Sequence, residues 1–393
     1  MAKAEKKFLF VCSYANMDDV FQATNQDVFV KENVGNYINA KFVSLSIQAD
    51  ALANRYGPLK DIQTSLAATG YPAYLFFSPE GKLVHRGGGY KDADGFVKLA
   101  MEAQSPATQY YTLLEKYYSG KKDYAAMPYL IGTARAIKDG NANSLSKDYL
   151  DNYLATLSRE KLFTERNITF LATAIHSGDK LFKSFLDDAK VIDSVMNRIG
   201  FAQTVVDKVV TGEEIDPKLW KNARVPEPLS DKPDWERIAF GISRKYGSDY
   251  AVRTILNAKL KWYATRKEWP EYCETVIVKA EKLGPYGFEG APDDVKWNEL
   301  AWDLFNHSSD KEVLMKALSW SDSSMKLSSI SMAGKYDTYA NLLYKLGRKQ
   351  EAISWEEKAV LLDPSSQDIR DTLEKMKKGE RTWRYPEKEN SIK

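Results

Sequence analysis

The sequence predicts an α/β domain over residues 1–104, followed by an all-α array of helical hairpins. Before residue 104, short apolar runs alternate with polar segments of helical character. After Ser105-Pro106, apolar residues recur at helical spacing, with Gly, Asn and Ser between successive segments. Prolines then crowd together between residues 216 and 233, which indicates a linker or a break in the helical stack. We therefore predict a helical region at 105–230 and a helical array at 231–393.

Composition excludes several classes of protein. The chain has 393 residues, of which 44% are hydrophobic, and this is long for one compact domain. No apolar stretch is long enough for a transmembrane helix. The 56 basic and 54 acidic residues alternate rather than cluster, which argues against a nucleic-acid interface. The two cysteines fall in different predicted domains, so we expect no structural disulfide.

The clearest element of the first domain is a β-hairpin. Its predicted strands are Tyr74–Phe77 and Leu83–Arg86, and the residues between them include a turn proline and a glycine. Pro72 comes almost directly before the first strand, a position where proline is tolerated at a strand's first residue or in a cis turn. The run Gly87–Gly89 lacks the lysine and hydroxyl residue of a phosphate loop, and it indicates a flexible strand end or a bulge.

The other elements of this domain follow from the same periodicities. They are a strand at Phe8–Cys12, a helix from Asp18 towards Gln22, a helical turn at Glu32–Asn39, a strand at Phe42–Ile47, a partly helical polar segment at Asp50–Leu66 and a closing helix at Asp92–Met101. The predicted order is β-α-β-α-β-β-α.

This order is that of the thioredoxin fold, and the sequence resembles thioredoxin-like proteins of the kind common in Bacteroidetes. The stretch Ala2–Val11 resembles the start of their pattern. The residues that resemble its end are Val28-Phe29, Val34, Tyr37-Ile38-Asn39 and Phe42-Val43. In that family a Trp-Cys-x-x-Cys motif lies between the two stretches. The resemblance implies a thioredoxin-like domain.

Counting inward from both stretches gives one register without a gap. Met17 then occupies the family's tryptophan position, Asp18 the first cysteine, Phe21 the second cysteine and Cys12 the buried aspartate. Thiol exchange needs a thiolate at a helix N-terminus, a resolving thiol and a nearby base. This register supplies none of the three, so Asp18 and Phe21 are degenerate positions of the redox motif.

The residues at these positions have simpler structural interpretations. Asp18 and Asp19 lie at the predicted start of a helix, where a carboxylate caps the helix and complements its dipole. A paired-carboxylate acid/base site is the alternative. Cys12 is predicted to be a buried core residue, with a monothiol redox role as the alternative.

The resemblance also implies a cis-proline at Pro72. In the thioredoxin family the backbone beside the cis-proline pairs with an extended peptide, and this pairing needs no cysteine. We therefore name Tyr71, Pro72 and Ala73 the peptide-groove candidates. The alternative is that the fold itself requires this turn.

Helices account for the rest of the chain. Those of the first helical region are predicted at Ala107–Tyr118, Tyr124–Lys138, Lys147–Leu157 and Asn167–Ile175. Beyond residue 231 the apolar faces become regular, and Cys273 falls on one of them as a core residue.

The last helical pair resembles a tetratricopeptide repeat, in which small residues let two helices approach closely and a proline ends the second helix. The residues that carry this resemblance are Ala340, Ala352, Ala359 and Pro364, whereas Leu343 stands where a tyrosine is commoner. The segment Asp337–Gly347 also resembles the C-terminal region of the same Bacteroidetes proteins. Aromatic residues on these helices are predicted to be core, although such arrays also offer a concave surface to a partner.

Two functions are compatible with this sequence. The first is a protein- or peptide-interaction or chaperone-like module, without enzymatic activity, because the redox motif is absent. The alternative is a thiol-disulfide oxidoreductase or isomerase. His85, His176 and His307 are isolated from one another, so we expect no metal site, no cofactor and no hydrolase site. The resemblance implies a periplasmic location if a leader sequence has been removed, and otherwise the cytoplasm.

Overall fold

The computed structural model describes residues 1–15, 19–49, 70–222, 227–230, 232–284, 293–329 and 332–383. Residues 1–202 form one compact unit and residues 203–393 another. A small mixed sheet near the N-terminus is followed by many helices, in agreement with the predicted α/β and then all-α layout. The finer division at residues 104 and 230 stays a prediction.

Within the described residues the sheet has four strands, in the order β2-β1-β3-β4. β1 runs parallel to β2 and antiparallel to β3, and β3 runs antiparallel to β4. The central strands are therefore the first strand of the chain and the first strand of the hairpin. The four strands are β1 (Phe8–Tyr14), β2 (Phe42–Gln48), β3 (Ala73–Phe77) and β4 (Leu83–Gly88).

Helices of the first unit flank the sheet and continue the chain beyond it. Two segments depart from α-helical geometry, Asn25–Phe29 as a π-helix and Leu154–Thr156 as a 3-10 turn. The α-helices of this unit are α1 (Ala2–Glu5), α2 (Asp19–Thr24), α3 (Glu32–Lys41), α4 (Ala93–Glu102), α5 (Tyr110–Tyr118), α6 (Met127–Ala136), α7 (Asn141–Asn152), α8 (Arg159–Leu162), α9 (Glu165–Ala174), α10 (Phe182–Asp187) and α11 (Ala189–Val195). The next helix, α12 (Phe201–Val210), begins at the boundary and belongs mainly to the second unit.

The sheet buries apolar residues on both faces because successive strand residues point to opposite sides. On one face Phe10 and Phe76 lie 5.2 Å apart between ring centroids, and Phe96 of α4 packs against Phe10 at 5.4 Å. On the other face Val11 and Leu75 are buried. The predicted polar segment at Asp50–Leu66 lies outside the described residues.

The glycine run at the end of β4 is used for close packing. The ladder between β3 and β4 stays regular through Gly87 and Gly88, and its irregularity lies between Phe76 and Phe77 instead. A Cβ atom built on Gly87 would lie 2.6 Å from Cδ2 of Leu99 in α4. Gly87 therefore lets α4 lie directly on the sheet.

Replacing Gly87 by alanine is expected to lower the free energy of unfolding of the first unit by about 1 kcal/mol, because the buried Leu99 must move within a packed core. Gly132 in α6 is the matched control, since a Cβ there meets no atom within 4 Å. Alanine at residue 132 should stabilise the unit by about 0.5–1 kcal/mol, because glycine is a poor helix former. Hydrogen exchange of the sheet amides measures both changes. Equal stability of Gly87→Ala and the parent chain would contradict the packing role.

The prediction for α7 was wrong at both ends. The periodicity indicated residues 147–157, whereas α7 spans Asn141–Asn152. At the start, Oδ1 of Asp139, one residue before the N-cap Gly140, accepts a hydrogen bond from the Asn141 backbone N–H at 2.9 Å and so satisfies one of the N–H groups that a helix start leaves without a partner in the helix. The early end reflects the change to a 3-10 turn at Leu154.

The second unit is helical throughout its described residues, apart from short connecting segments and one isolated bridge. It contains a π-helical segment at Thr211–Ile215. Its α-helices are α13 (Asp216–Leu219), α14 (Trp235–Tyr246), α15 (Ser248–Arg266), α16 (Trp269–Leu283), α17 (Asp293–His307), α18 (Lys311–Leu327), α19 (Ala333–Lys345), α20 (Lys349–Leu362) and α21 (Gln367–Lys378).

The apolar faces predicted for these helices are confirmed. In α15, Ala251, Ile255, Ala258 and Trp262 are all buried. In the α19–α20 pair, Ala340, Leu343, Ala352 and Ala359 are fully buried. Only Leu346, Gly347 and Arg348 connect these two helices, so they pack along each other. Cys273 is a core residue of α16, as predicted, and is 1% exposed.

Candidate functional site

The peptide-groove candidates lie where the chain enters β3. The Tyr71–Pro72 peptide bond is cis, and Tyr71 is half-buried. Pro72 is buried, and its carbonyl accepts a hydrogen bond from the Gly89 N–H at 2.9 Å. Ala73 lies between Ser13 of β1 and Gly88 of β4 in the two ladders. A peptide that added to this corner would therefore have to meet the backbone at Tyr71, because strands already flank Ala73.

An aromatic pair lies at the same end of the sheet. Tyr14 is the last residue of β1, one position beyond the Ser13–Ala73 pair of the ladder. Its ring stacks on Phe21 of α2, with centroids 4.2 Å apart and planes 2° from parallel. The degenerate motif position Phe21 is thus close to β1, while Asp18 lies outside the described residues. Sequence reasoning missed Tyr14, although its place at the carboxyl end of the first strand was a usable signal.

Cys12 is part of the sheet core. It is 2% exposed and pairs with Tyr74 across the ladder. It belongs to the same core cluster as Phe10, Phe76 and Phe96. Thiol exchange with a protein substrate requires an accessible thiolate, and the position of Cys12 gives a dissolved substrate no direct access.

β4 carries two buried polar side chains. Nδ1 of His85 accepts a hydrogen bond from the Tyr110 backbone N–H at 3.0 Å, so the proton of the neutral ring is on Nε2. Burial lowers the pKa of His85 to about 4. Its Nε2 is 3.9 Å from Oε2 of Glu102. His85 is therefore neutral at physiological pH and holds the start of α5 against the sheet.

Arg86 makes the second connection between β4 and the helices of the same unit. It is 1% exposed, and its guanidinium donates to the Ile137 carbonyl at 3.2 Å. Oδ2 of Asp139 is 3.6 Å from the same nitrogen. Burial raises the pKa of the adjacent Tyr111 to about 12. These contacts make Arg86 an internal tie between strand and helices rather than a group directed at a ligand.

A second group of titratable side chains lies in the second unit, around Asp303 of α17. Oδ2 of Asp303 accepts from the Tyr272 hydroxyl at 2.8 Å, and Oδ1 is 3.0 Å from Nδ1 of His307. The hydrogen bond to Asp303 raises the pKa of His307. Burial lowers the pKa of nearby Lys345 to about 8 and raises that of Cys273 to about 12.

Lys345, the cation of this second group, is enclosed by its neighbours and is therefore poorly placed to act on a substrate. Nζ of Lys345 donates to the Phe305 carbonyl at 2.5 Å and lies 4.7 Å from the centre of the Phe305 ring. The Trp383 ring lies on it as well, at 5.2 Å. Such an enclosed ammonium group stabilises the packing of the helices around it. The titratable group around Asp303 therefore stabilises the fold of the second unit.

The described residues offer neither a metal site nor a membrane-spanning helix. They contain no group of three or more His, Cys, Asp or Glu side chains arranged to hold a metal ion. None of their helices is both long enough and apolar enough to cross a membrane. His85 lies in β4, His307 ends α17 and His176 lies in the segment after α9, so the three histidines are on different parts of the chain.

Neither the protein-family models nor the curated proteins compared with this chain include a match to it.

Proposed function

We propose that this chain is a protein- or peptide-binding module, with chaperone-like use as one form of it, built on a thioredoxin-like domain without dithiol chemistry. The observation that carries the proposal is the corner at the entrance to β3, where half-buried Tyr71 precedes the buried Pro72 and Ala73, and where the stacked Tyr14 and Phe21 rings lie at the same end of the sheet. A mixed sheet with the strand order β2-β1-β3-β4, one parallel pairing and two antiparallel pairings supports the thioredoxin-like part of the proposal.

The helical part supports the same proposal. The α19–α20 pair buries the alanines that the tetratricopeptide resemblance requires at a close helix contact, namely Ala340, Ala352 and Ala359. Repeats of this kind bind peptides and proteins on their exposed helix faces. The partner proposed for this chain is accordingly a protein or peptide.

Thiol-disulfide exchange activity is tested by following the reduction of insulin by dithiothreitol in the presence of the full chain. Because Cys12 is buried, neither the parent chain nor Cys12→Ser is expected to accelerate precipitation of the insulin B chain. An acceleration that is lost in Cys12→Ser would overturn the proposal in favour of a thiol-disulfide oxidoreductase.

The test of binding uses a peptide array and Tyr71→Ala. We expect this variant to lose peptides that the parent chain retains, because Tyr71 flanks the entrance to β3. Tyr118→Ala is the matched control, since Tyr118 is 62% exposed in the same unit and remote in sequence from this corner. If Tyr71→Ala retained every peptide, the corner would be excluded as the binding site. If peptide binding were lost instead on substitution of exposed residues of α19 or α20, binding would be assigned to the helices.

Hydrogen exchange separates backbone pairing from side-chain contact. A captured peptide that adds to the corner should slow exchange at the Tyr71 amide, while the Ala73 amide, already within the ladders, changes little. Unchanged exchange at Tyr71 with saturating peptide would contradict pairing at this corner.

A further inference from the structure

A cavity of about 670 Å³ lies among three helices of the first unit, away from the peptide-groove candidates. It is bounded by α6, α7 and α9 and by the segment that follows α9. Its walls combine apolar side chains, such as Leu150 and Ala174, with polar ones. The polar residues used below are Arg135, Asn143, Ser146, Lys147, Thr173 and Asp179.

Arg135 is held rigidly in the wall of this cavity. Its two terminal nitrogens each donate one hydrogen bond at 3.1 Å, one to Oγ1 of Thr173 and the other to Oγ of Ser146. Both hydroxyls donate their own protons to backbone carbonyls, Thr173 at 2.8 Å and Ser146 at 2.7 Å. Each hydroxyl oxygen can therefore only accept from the arginine. The guanidinium carbon lies over the Phe170 ring, 5.6 Å from its centre.

The charge of Arg135 has no acidic partner among the described residues. Its polar contacts there are the two neutral hydroxyls. Burial lowers the pKa of Arg135, because the guanidinium loses water without gaining a neighbouring carboxylate. Two of its five N–H groups are used, so three remain for another acceptor.

The other charged groups of the cavity have partners of their own. Lys147 pairs with Asp151 at 2.9 Å. Oδ2 of Asp179 accepts from the His176 backbone N–H at 2.7 Å. Of the two cations Arg135 and Lys147 in this wall, Lys147 is thus paired with a carboxylate and Arg135 is not.

We propose that the cavity binds the oxyanion of a small organic molecule, a carboxylate or a phosphate group, with Arg135 as its anchor. A planar guanidinium presents paired N–H donors that match both groups, and such charge-assisted bonds are strong where water is partly excluded. The apolar wall at Leu150 and Ala174 accommodates the rest of the molecule. This site is independent of the peptide-binding function proposed above.

The test is an NMR titration of the ¹⁵N-labelled full chain with inorganic phosphate and, separately, with succinate. Sodium chloride at matched ionic strength is the reference for each. We expect saturable shifts of amides in α7 and α9 with a Kd of roughly 1 mM or below for at least one anion. Saturation by phosphate alone would identify phosphate esters as the ligand class, and saturation by succinate alone would identify carboxylates.

Three variants decide whether Arg135 is the anchor. Arg135→Gln should weaken binding about tenfold or more, because a charged hydrogen-bond donor is lost. Asn143→Asp changes an exposed residue in the first turn of α7, where a carboxylate favours the helix, and places a negative charge in the cavity wall. It should weaken binding about fivefold with the fold intact. Arg166→Gln is the matched control, because Arg166 lies on α9 outside the cavity wall and should bind within about twofold of the parent chain.

Two results would overturn the proposal. One is the absence of saturable binding of either anion by the parent chain. The other is unchanged binding by a folded Arg135→Gln variant, whatever Asn143→Asp does. If Arg135→Gln fails to fold, Asn143→Asp alone decides.

Discussion

Arg86→Met is expected to destabilise the first unit by about 3 kcal/mol, because it leaves a mostly buried carboxylate without its cation. Arg86 is 1% exposed, while the side chain of its partner Asp139 is 16% exposed. The substitution also removes the donor to the Ile137 carbonyl. Methionine fills the space of the aliphatic part of Arg86 and lacks its charge and its hydrogen-bond donors.

Hydrogen exchange of the β3 and β4 amides measures this loss within the first unit, independently of unfolding elsewhere. Arg159→Met is the matched control, because Arg159 pairs with Asp188 at the surface with its side chain 62% exposed. That control should change stability by less than about 1 kcal/mol. A double-mutant cycle with Asp139→Asn isolates the coupling between Arg86 and Asp139. If Arg86→Met and Arg159→Met lowered the stability of the first unit equally, the contacts of Arg86 would not stabilise the fold as proposed.

Glu356→Gln is expected to stabilise the second unit by about 2–4 kcal/mol at pH 8. Glu356 lies on α20 with none of its surface exposed, beside Asp337 of α19. Burial and the neighbouring Asp337 carboxyl raise the pKa of Glu356 from 4.5 to about 9. Burial also raises the pKa of Asp337, which accepts a hydrogen bond from the Asn341 side chain at 3.0 Å.

The sign of the pH dependence follows from these values. Glu356 keeps its proton in the folded chain up to about pH 9, whereas an unfolded chain releases it above its ordinary value of 4.5. The free energy of unfolding therefore falls as pH rises through this window, by up to about 1.4 kcal/mol per pH unit. Glutamine cannot ionise, so its burial carries no cost that grows with pH.

Thermal or denaturant unfolding of the second unit at pH 4.5 and pH 8 tests this prediction. The two proteins should be closest in stability at the lower pH and diverge at the higher one. Glu357→Gln is the control, because Glu357 is exposed and pairs with Lys377 at 2.8 Å. An identical decline of stability with pH in Glu356→Gln and the parent chain would show that another group titrates.

Most secondary-structure elements could be predicted from the sequence alone. The strands at Phe8 and Phe42 begin where predicted, and the hairpin strands extend one or two residues beyond their predicted ends. The buried faces of α15 and of the α19–α20 pair follow directly from apolar spacing. The prediction for α7 failed because its first turn is polar and its start is held by the hydrogen bond from the Asn141 N–H to the Asp139 side chain, neither of which gives an apolar signal.

Some residues of the candidate sites could also be identified from the sequence, and others could not. Tyr71, Pro72 and Phe21 were identified from turn chemistry and from the resemblance, and the structure brings Phe21 onto Tyr14. Arg135 was not identified, because its supports, Ser146 and Thr173, belong to two other helices. An arginine with two neutral partners looks like any surface arginine in the sequence.

The helices, the strands and their apolar faces thus follow from the order of residues, because they depend on the periodicity of side chains along a helix or a strand. Tertiary structure decided which polar groups meet away from water. Arg86 meets Asp139, Glu356 meets Asp337, and Arg135 meets only hydroxyls, each across elements that are distant or separate in the chain. The energy of a buried polar group depends on its partner and its solvent access. Both of these are properties of the packed chain.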